Sequence, residues 1–531
     1  MSSSADSLHC DACPPIRNCS CSVNIVGMQK SPLVILCMDA GDPSLIHQWR
    51  NQGHLPFLSG LTQHGCWGTT CGPELISEHG IWVSLFSGIP RSKHNYFDFR
   101  QLKPGTYDLT GFSAKEAGTV PFWSHLTGGN KRCAILDAQD MLPVEGVSGI
   151  QLCNWATHEP VFATDSNPQD LLQEVRHIFG NQMRIEVKWE SNYEMDRTIY
   201  HRLMERVQKK GHLCREMLKR NDFDLIIIGF GESHTGGHQL WRHLPVTEGG
   251  PNTNPNELSG AIRGLYTAID GEFGKIMEQL PPGSNIFVVT SAGMESHFPT
   301  SGLLESFCRK LGYQISPQAG SDSFSLLSLA RKLLPESIRV AISSRFSRDT
   351  RERLLADQFR NGSDWSKTRA FSIPSFYAGH LRINLKDREP QGIVTDLEYD
   401  GLIEELQQEL NQITDPETGE PAVRRLPTVK ELYGMKYHAT LPDLWVKWRP
   451  HTHYMKRVNH PKAELEQNSD LLRDSGHSDY GFMAAAGPAI RARGSLGNVS
   501  LVDLAPTFMA VLNEPPAPEM TGRILNTLLQ G

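Results

Sequence analysis

A short apolar segment that runs directly into two histidines constrains this chain more than any other stretch. Residues 225–228, Leu-Ile-Ile-Ile, are too few for a membrane helix and rich in β-branched side chains, which predicts a strand buried on both faces of a parallel sheet. Glycines follow the strand and predict a tight turn, after which Ser233 is placed to cap a helix. On that helix His234 and His238 share one face at the carboxyl end of the strand, where open α/β sheets build their sites.

The same plan of apolar strand, polar turn and helix recurs along the chain. Three further strands and three helices are predicted, the strands within residues 33–38, 131–138 and 284–294 and the helices at 201–220, 257–280 and 398–413. This alternation predicts an α/β fold, a mostly parallel sheet with helices on both faces.

Two segments differ from the rest of the chain. Residues 1–30 are predicted to be a flexible leader, although its cysteines, Cys10, Cys13, Cys19 and Cys21, are also spaced for a soft metal. Residues 31–527 are predicted to form one catalytic domain. Within it, the polar and helix-rich residues 312–370 are predicted to be a helical cap insertion.

Composition excludes several classes of partner. A net charge of −7 gives no basic footprint for a nucleic acid polymer. No segment reaches the roughly 18 apolar residues of a membrane span, and the N-terminus lacks the order of a signal peptide. We therefore expect a cytoplasmic protein without a membrane partner, and the cysteines scattered through the body of the chain suit reduced thiols better than disulfides. The oligomeric state is not indicated.

Several oxygen and nitrogen ligands are predicted to lie at strand ends. Asp39 and Asp42 directly follow the first strand, as His234 and His238 follow theirs, and His477 lies in a glycine-flanked turn near the C-terminus. Taken singly, Asp39 is explained as a turn cap and His477 as a surface loop residue. Together the residues are typical of a site for a divalent metal.

Four motifs occur in the order found in a known family. "VILCMDAGDPSLI" and "WVSLFSGIPRSKHNYFDF" are followed late in the chain by "SGHSDYGFMAAAGP" and "LVDLAPTFMAVLNEPPAPEMTGRIL". From about residue 32 to 527 the sequence resembles the alkaline phosphatase superfamily, in particular its type I phosphodiesterase and nucleotide pyrophosphatase branch. The resemblance implies two divalent metals, usually zinc, beside a threonine or serine nucleophile.

By resemblance, Asp39, His234, His238 and His477 are metal ligands, with His234 in the place of the usual aspartate. The family has an adjacent aspartate and histidine where this chain has Ser291 and Ala292, so two ligands of one metal position are missing.

The resemblance also bears on the nucleophile and on three further side chains. Ser77 is the first candidate for the nucleophile, and Glu78 is the alternative, as a ligand or a base. His297 is a possible substitute ligand, Glu232 lies near the histidines of the predicted helix, and whether His158 touches the substrate is open.

These departures favour one zinc over two. His234, His238 and His477, with Asp39 or Glu232 nearby, suit a tetrahedral zinc with an open position. The predicted function is a metal-dependent hydrolase of a small phosphate ester or phosphodiester. Two alternatives stay open: other chemistry on the same scaffold, such as that of a sulfatase, phosphonate hydrolase or mutase, and a non-catalytic binding protein with a degenerate site.

Overall fold

The structure, a computed structural model, describes residues 31–72, 74, 79–113, 115–159, 162–181, 183, 185, 192–317, 348–467 and 473–529. The predicted leader lies outside this part of the chain, as do residues 318–347 of the predicted cap. Ser77 and Glu78 also lie outside it.

The strands of the described residues are, in chain order, β1 Leu33–Met38, β2 Cys66–Cys71, β3 Arg100–Leu102, β4 Leu109–Gly111, β5 Cys133–Leu136, β6 Gly149–Cys153, β7 Asp165–Asn167, β8 Leu225–Phe230, β9 Asn285–Thr290, β10 Gly293–Ser296, β11 Ala370–Ile373, β12 Gly379–Ile383, β13 Val423–Arg425, β14 Leu444–Trp448, β15 Arg457–His460, β16 Ala463–Glu466, β17 Ser475–Ser478, β18 Tyr480–Ala486 and β19 Gly494–Ser500.

The α-helices of the same residues are α1 Pro43–Asn51, α2 Pro56–His64, α3 Ile81–Ser87, α4 Arg91–His94, α5 Gln169–Phe179, α6 Tyr193–Leu218, α7 Glu232–Leu240, α8 Ala261–Met277, α9 Ser301–Lys310, α10 Arg348–Asn361, α11 Asp396–Leu410, α12 Val429–Tyr433 and α13 Leu504–Val511. Among the described residues, none of the helices combines the length and the hydropathy that a membrane span requires.

Nine strands form the main sheet, in the order β19, β2, β18, β9, β1, β8, β5, β6, β7. At its centre β1 pairs in parallel with β8 and β9, and the parallel arrangement continues through β5 to β6. Two strands run antiparallel to their neighbours: β18, between β9 and β2, and β7, at the edge. The prediction of an α/β fold with a mostly parallel sheet is therefore confirmed.

Both faces of this sheet are buried, as the unbroken apolar strands predict. Along β1, Leu36 belongs to a hydrophobic cluster that includes Leu265 of α8, whereas Ile35 belongs to a second cluster that includes Phe508 of α13. Alternate side chains of a strand point to opposite faces, so each face packs against its own helices.

A smaller four-stranded sheet, in the order β11, β12, β14, β13, is built by the chain between β10 and β17. It shares a third hydrophobic cluster with α9 and α11. Helix α10, the described helix of the predicted cap, pairs with the β3–β4 hairpin through Glu352 and Arg100.

Two local expectations are wrong. Gly231, not Ser233, is the N-cap of α7, and the Ser233 hydroxyl instead donates to the Asp39 carbonyl at 2.6 Å. His477 lies in strand β17 and not in a turn, because β10 supplies an antiparallel partner in which Met294 pairs with His477. The flanking glycines of β17 give no sign of that partner.

Candidate metal centre

The candidate site lies at the carboxyl ends of β1 and β8. Met38 at the end of β1 pairs with Phe230 at the end of β8, and the Asp39 N–H donates to the Phe230 carbonyl at 2.9 Å. The Ser233 hydroxyl holds the first turn of α7 against the Asp39 carbonyl. These bonds place Asp39 beside one face of α7.

Two histidines of α7 lie on that face, since residues four apart fall one helical turn apart. The ring centroids of His234 and His238 are 5.0 Å apart. Nδ1 of His234 lies 2.7 Å from Asp39 Oδ2, and Nδ1 of His238 lies 3.4 Å from Ser475 Oγ. In each ring Nδ1 is engaged, which leaves Nε2 for a ligand.

A third histidine enters from the loop after β6. The His158 ring stacks on His234 with centroids 3.7 Å apart, and its Nδ1 lies 2.8 Å from Thr235 Oγ1. The side chain is buried. His158 therefore repeats the pattern of His238, with a hydroxyl at Nδ1 where His234 has the carboxylate of Asp39.

Backbone bonds and one glycine hold this loop in place. The Asp137 carboxylate accepts the backbone N–H groups of Trp155 at 2.7 Å and Ala156 at 2.8 Å. A Cβ on Gly231 would lie 2.6 Å from the His158 backbone nitrogen, so a glycine is required there for the loop to approach α7.

Among the described residues, His158, His234 and His238 are the one set of three or more potential ligands whose ligand atoms all lie within 4.8 Å of one another. We call them the histidine group. Metal-binding histidines usually donate their second ring N–H to an oxygen that fixes the tautomer and the ring orientation. The oxygens of Asp39, Thr235 and Ser475 occupy those places.

His477 lies against the histidine group from β17. Its ring centroid is 4.6 Å from that of His234 and 5.0 Å from that of His238, and both contacts are edge-on. Four imidazoles thus converge at this end of the sheet. His477 is not in the histidine group, because that group contains only residues whose ligand atoms all lie within 4.8 Å of one another.

Burial keeps three of these imidazoles in their neutral form. It lowers the pKa values of His158, His238 and His477 well below the usual range of histidine. The positive charge of Arg473 lowers the pKa of His158 and of His238 further. A neutral imidazole is the form that binds a metal.

Comparison with known proteins bears on the fold. No protein-family model and no curated protein matches the chain. The structure of phosphonoacetate hydrolase from Sinorhizobium meliloti 1021 in complex with phosphonoformate matches with a TM-score of 0.51 and 10% identity, covering 91% of this chain and 96% of that one. Its complex with phosphonoacetate matches with a TM-score of 0.51, 11% identity and the same coverage. The chain has an alkaline-phosphatase-like α/β fold.

Human ectonucleotide pyrophosphatase/phosphodiesterase 5 matches over 94% of this chain and 100% of that one, with a TM-score of 0.47 and 10% identity. At these identities the likeness to the phosphonoacetate hydrolase structures concerns the fold alone. The assignment to one branch of the superfamily stays a prediction.

Within this fold, Asp39 occupies a closed environment. Its Oδ1 accepts hydrogen bonds from Trp82 Nε1 at 2.8 Å and from Ser291 Oγ at 2.9 Å, and its Oδ2 contacts His234. Burial raises the pKa of Asp39, but the charge and hydrogen bond of His234, with the bonds from Trp82 and Ser291, outweigh burial and hold that pKa below its usual range. Asp39 is thus an ionised group that orients His234.

Ser291 and Ala292 fill the positions where the resemblance expects an aspartate and a histidine. The Ser291 hydroxyl accepts from the Ala40 N–H at 3.0 Å while it donates to Asp39. Ala292 is buried. This side of Asp39 is therefore closed by hydrogen bonds within the protein.

The other candidates from the sequence lie in separate environments. Glu232 is buried and pairs with Arg206 at 2.7 Å, beneath the histidine group. Asp42 caps α1 by accepting from two backbone N–H groups. His297 packs against His451, with ring centroids 4.7 Å apart.

His158 is the residue of this site whose role sequence reasoning left open. A usable signal was present, because His158 also follows a strand end. That strand, β6, contains Gln151 and one β-branched residue, Ile150, so its apolar pattern is weak.

Proposed function

We propose that this chain is a metal-dependent hydrolase of a phosphate ester or phosphodiester, with about one zinc ion bound per chain. The observation that carries the proposal is the histidine group, three imidazoles whose Nδ1 atoms are all engaged and whose ligand atoms lie within 4.8 Å of one another. The alkaline phosphatase superfamily fold supports it by supplying a scaffold that hosts phosphoryl chemistry.

The donor set fits zinc. Imidazole nitrogens favour borderline ions such as Zn²⁺ over Mg²⁺, which prefers oxygen ligands. Three ligands leave a fourth tetrahedral position for water or substrate. When bound, zinc would supply Lewis acidity to a phosphoryl oxygen and to a water molecule.

The protein side chains supply position and charge. Asp39 and Thr235 hold the rings of His234 and His158 through Nδ1, which leaves Nε2 of each ring for the metal. His477, and Asp39 itself, remain proposed ligands of this ion or of a second one. The two-metal arrangement is the alternative to the single site.

Two routes are proposed for the chemical step. In the first, the Ser77 hydroxyl attacks phosphorus as the P–O bond to the ester oxygen breaks, the hydroxyl proton passes to the departing ester oxygen, and water later hydrolyses the phosphoseryl bond. In the second, water attacks phosphorus directly, Glu78 takes its proton, and the ester oxygen leaves and takes up that proton from Glu78. We favour Ser77. Two alternatives remain, another chemistry on this scaffold and a non-catalytic binding protein. They differ from the proposal in the number of metal ions that the chain would bind.

Removal of one ligand tests the proposal. His238→Ala should lose both zinc, measured by mass spectrometry of the purified protein, and hydrolysis of p-nitrophenyl phosphate and bis(p-nitrophenyl) phosphate. His451→Ala is the matched control. Its ring nitrogens contact the Arg449 carbonyl at 2.8 Å and the Phe298 N–H at 3.4 Å, and it should keep both properties. Equal effects of the two changes would contradict the proposal.

A further inference from the structure

An ion pair between Glu159 and Arg473 borders the histidine group. Arg473 Nη2 lies 2.9 Å from Glu159 Oε1. The other oxygen of the same carboxylate, Oε2, lies 4.0 Å from His158 Nε2, the ring nitrogen that Thr235 does not contact. One carboxylate thus lies between the guanidinium and the histidine group.

The two partners differ in how firmly they are held. The side chain of Arg473 is 9% exposed, and that of Glu159 is 40% exposed. Arg473 lies two residues before β17, the strand that pairs with β10 and supplies Ser475 and His477 to the site. The cation is therefore buried in the site, whereas its carboxylate partner faces solvent and can turn away.

The positive charge of Arg473 also reaches the centre of the site. It contributes to the lowered pKa values of both His158 and His238, which lie on different elements. Both of these histidine side chains are buried. An anion that enters this end of the sheet therefore meets Arg473 as a cation of the protein itself.

We propose that Arg473 binds an anionic oxygen of the substrate, and that Glu159 is the counter-ion that the substrate displaces. The carboxylate of Glu159 marks the place that this oxygen takes, because a carboxylate and a phosphoryl group present similar oxygens to a guanidinium. The inference rests on the proposed function and narrows it.

The substrate class follows from the charges. Phosphate monoesters and phosphonates carry a dianionic phosphoryl group. One of its charged oxygens could bind the proposed metal while the other binds Arg473. A phosphodiester carries a single charge and gains less from Arg473. We therefore infer that dianionic substrates are bound in preference to diesters.

Equilibrium binding of inorganic phosphate tests the inference. Titration calorimetry on the zinc-loaded full chain should show about 10-fold to 100-fold weaker binding for Arg473→Gln, the loss of a charge-assisted hydrogen bond. Glu159→Gln should bind phosphate about twofold to fivefold more tightly, because a partly exposed ion pair no longer competes. The matched controls are Glu174→Gln and Arg220→Gln, which break an exposed ion pair elsewhere, and they should leave phosphate binding unchanged.

Substrate kinetics add a second readout. Arg473→Gln should raise KM for p-nitrophenyl phosphate more than KM for bis(p-nitrophenyl) phosphate, and zinc content should stay the same. If Arg473→Gln fails to fold, Arg473→Lys replaces it and should bind phosphate somewhat more weakly than the unaltered protein. Tighter phosphate binding by Glu159→Gln then remains the independent test of the inference.

Three results would overturn the inference: unchanged phosphate affinity in Arg473→Gln, weaker phosphate binding in Glu159→Gln, or a large loss of kcat in Glu159→Gln. The last would place Glu159 in the chemical step. A wild-type protein that binds phosphate through Arg473 but hydrolyses no ester would refute the proposed function and leave this inference standing.

Discussion

At the scale of single residues, the hydroxyl of Thr235 is the most direct test of whether His158 binds the metal. The change Thr235→Val removes the oxygen 2.8 Å from His158 Nδ1 and keeps the shape of the side chain. Zinc affinity should fall about 10-fold to 100-fold, as is typical when a partner of a metal-binding histidine is lost. Competition with a chromophoric chelator measures it.

The control for this change is Thr198→Val on α6, where an exposed threonine hydroxyl donates to the Glu194 carbonyl. It should leave zinc affinity unchanged. If Thr235→Val also binds zinc as tightly as the unaltered protein, His158 is not a ligand.

Ser77 and Glu78 divide the two chemical routes. If Ser77 is the nucleophile, Ser77→Ala should lower kcat by several orders of magnitude with zinc retained, and rapid acid quench should trap a phosphorylated serine. If water attacks directly, Ser77→Ala should lower kcat only about 10-fold to 100-fold, and Glu78→Gln should lower it more. We expect the first result; an unphosphorylated Ser77 in the quench would contradict it.

At the scale of secondary-structure elements, one buried lysine joins the parts that carry the site. Nζ of Lys210, on α6, donates to the carbonyls of Ala156 at 2.7 Å and Gly229 at 2.9 Å, and it lies 3.2 Å from an Asp137 carboxylate oxygen. It also lies 3.7 Å from Glu232 at the start of α7. The His158 loop, the end of β8 and α7 therefore depend on the same charge.

Lys210→Met should lower the free energy of unfolding by about 3–5 kcal/mol, because buried carboxylates would lose their cation. Urea denaturation measures this change. Arg202→Met, at an exposed position of the same helix, should stay within about 0.5 kcal/mol of the unaltered protein. A small effect of Lys210→Met would mean that the buried pairs contribute little to stability.

The elements also show how far sequence reasoning reached. β1, β8, β9 and α7 were predicted because their apolar periods are strong and their strand ends carry polar side chains. The contact of His158 with His234 was not, because the two residues are 76 positions apart and only tertiary packing of the loop brings them together. His477 was assigned to a turn, because strand pairing with β10 cannot be read from the glycines around it.

The same limit applies to Asp39 and Ser291. A chain motif identifies Asp39 as a strand-end carboxylate, but it does not show that Trp82, Ser291 and His234 all bind that carboxylate. Those bonds join segments far apart in sequence. The polar residue types at the strand ends were thus predictable, whereas the contacts among them were not.

At the scale of the whole molecule, the fold matches that of phosphonoacetate hydrolase although the two chains are only about 10% identical. Ser291 and Ala292, however, stand where the resemblance expects a metal-binding aspartate and histidine. A fold of this kind positions strand ends and does not choose a reaction. We propose that the substrate of this chain is determined by the side chains at this edge of the sheet, the histidine group and Arg473.

Metal analysis of the full chain, purified without added metal, tests the central claim most directly. We predict about one zinc per chain. Dialysis against a strong chelator should remove both the zinc and the hydrolytic activity, and adding zinc should restore both. Two metals per chain at full occupancy would contradict the single-site assignment. A protein that takes up no divalent metal under any condition would contradict the proposed function as a whole.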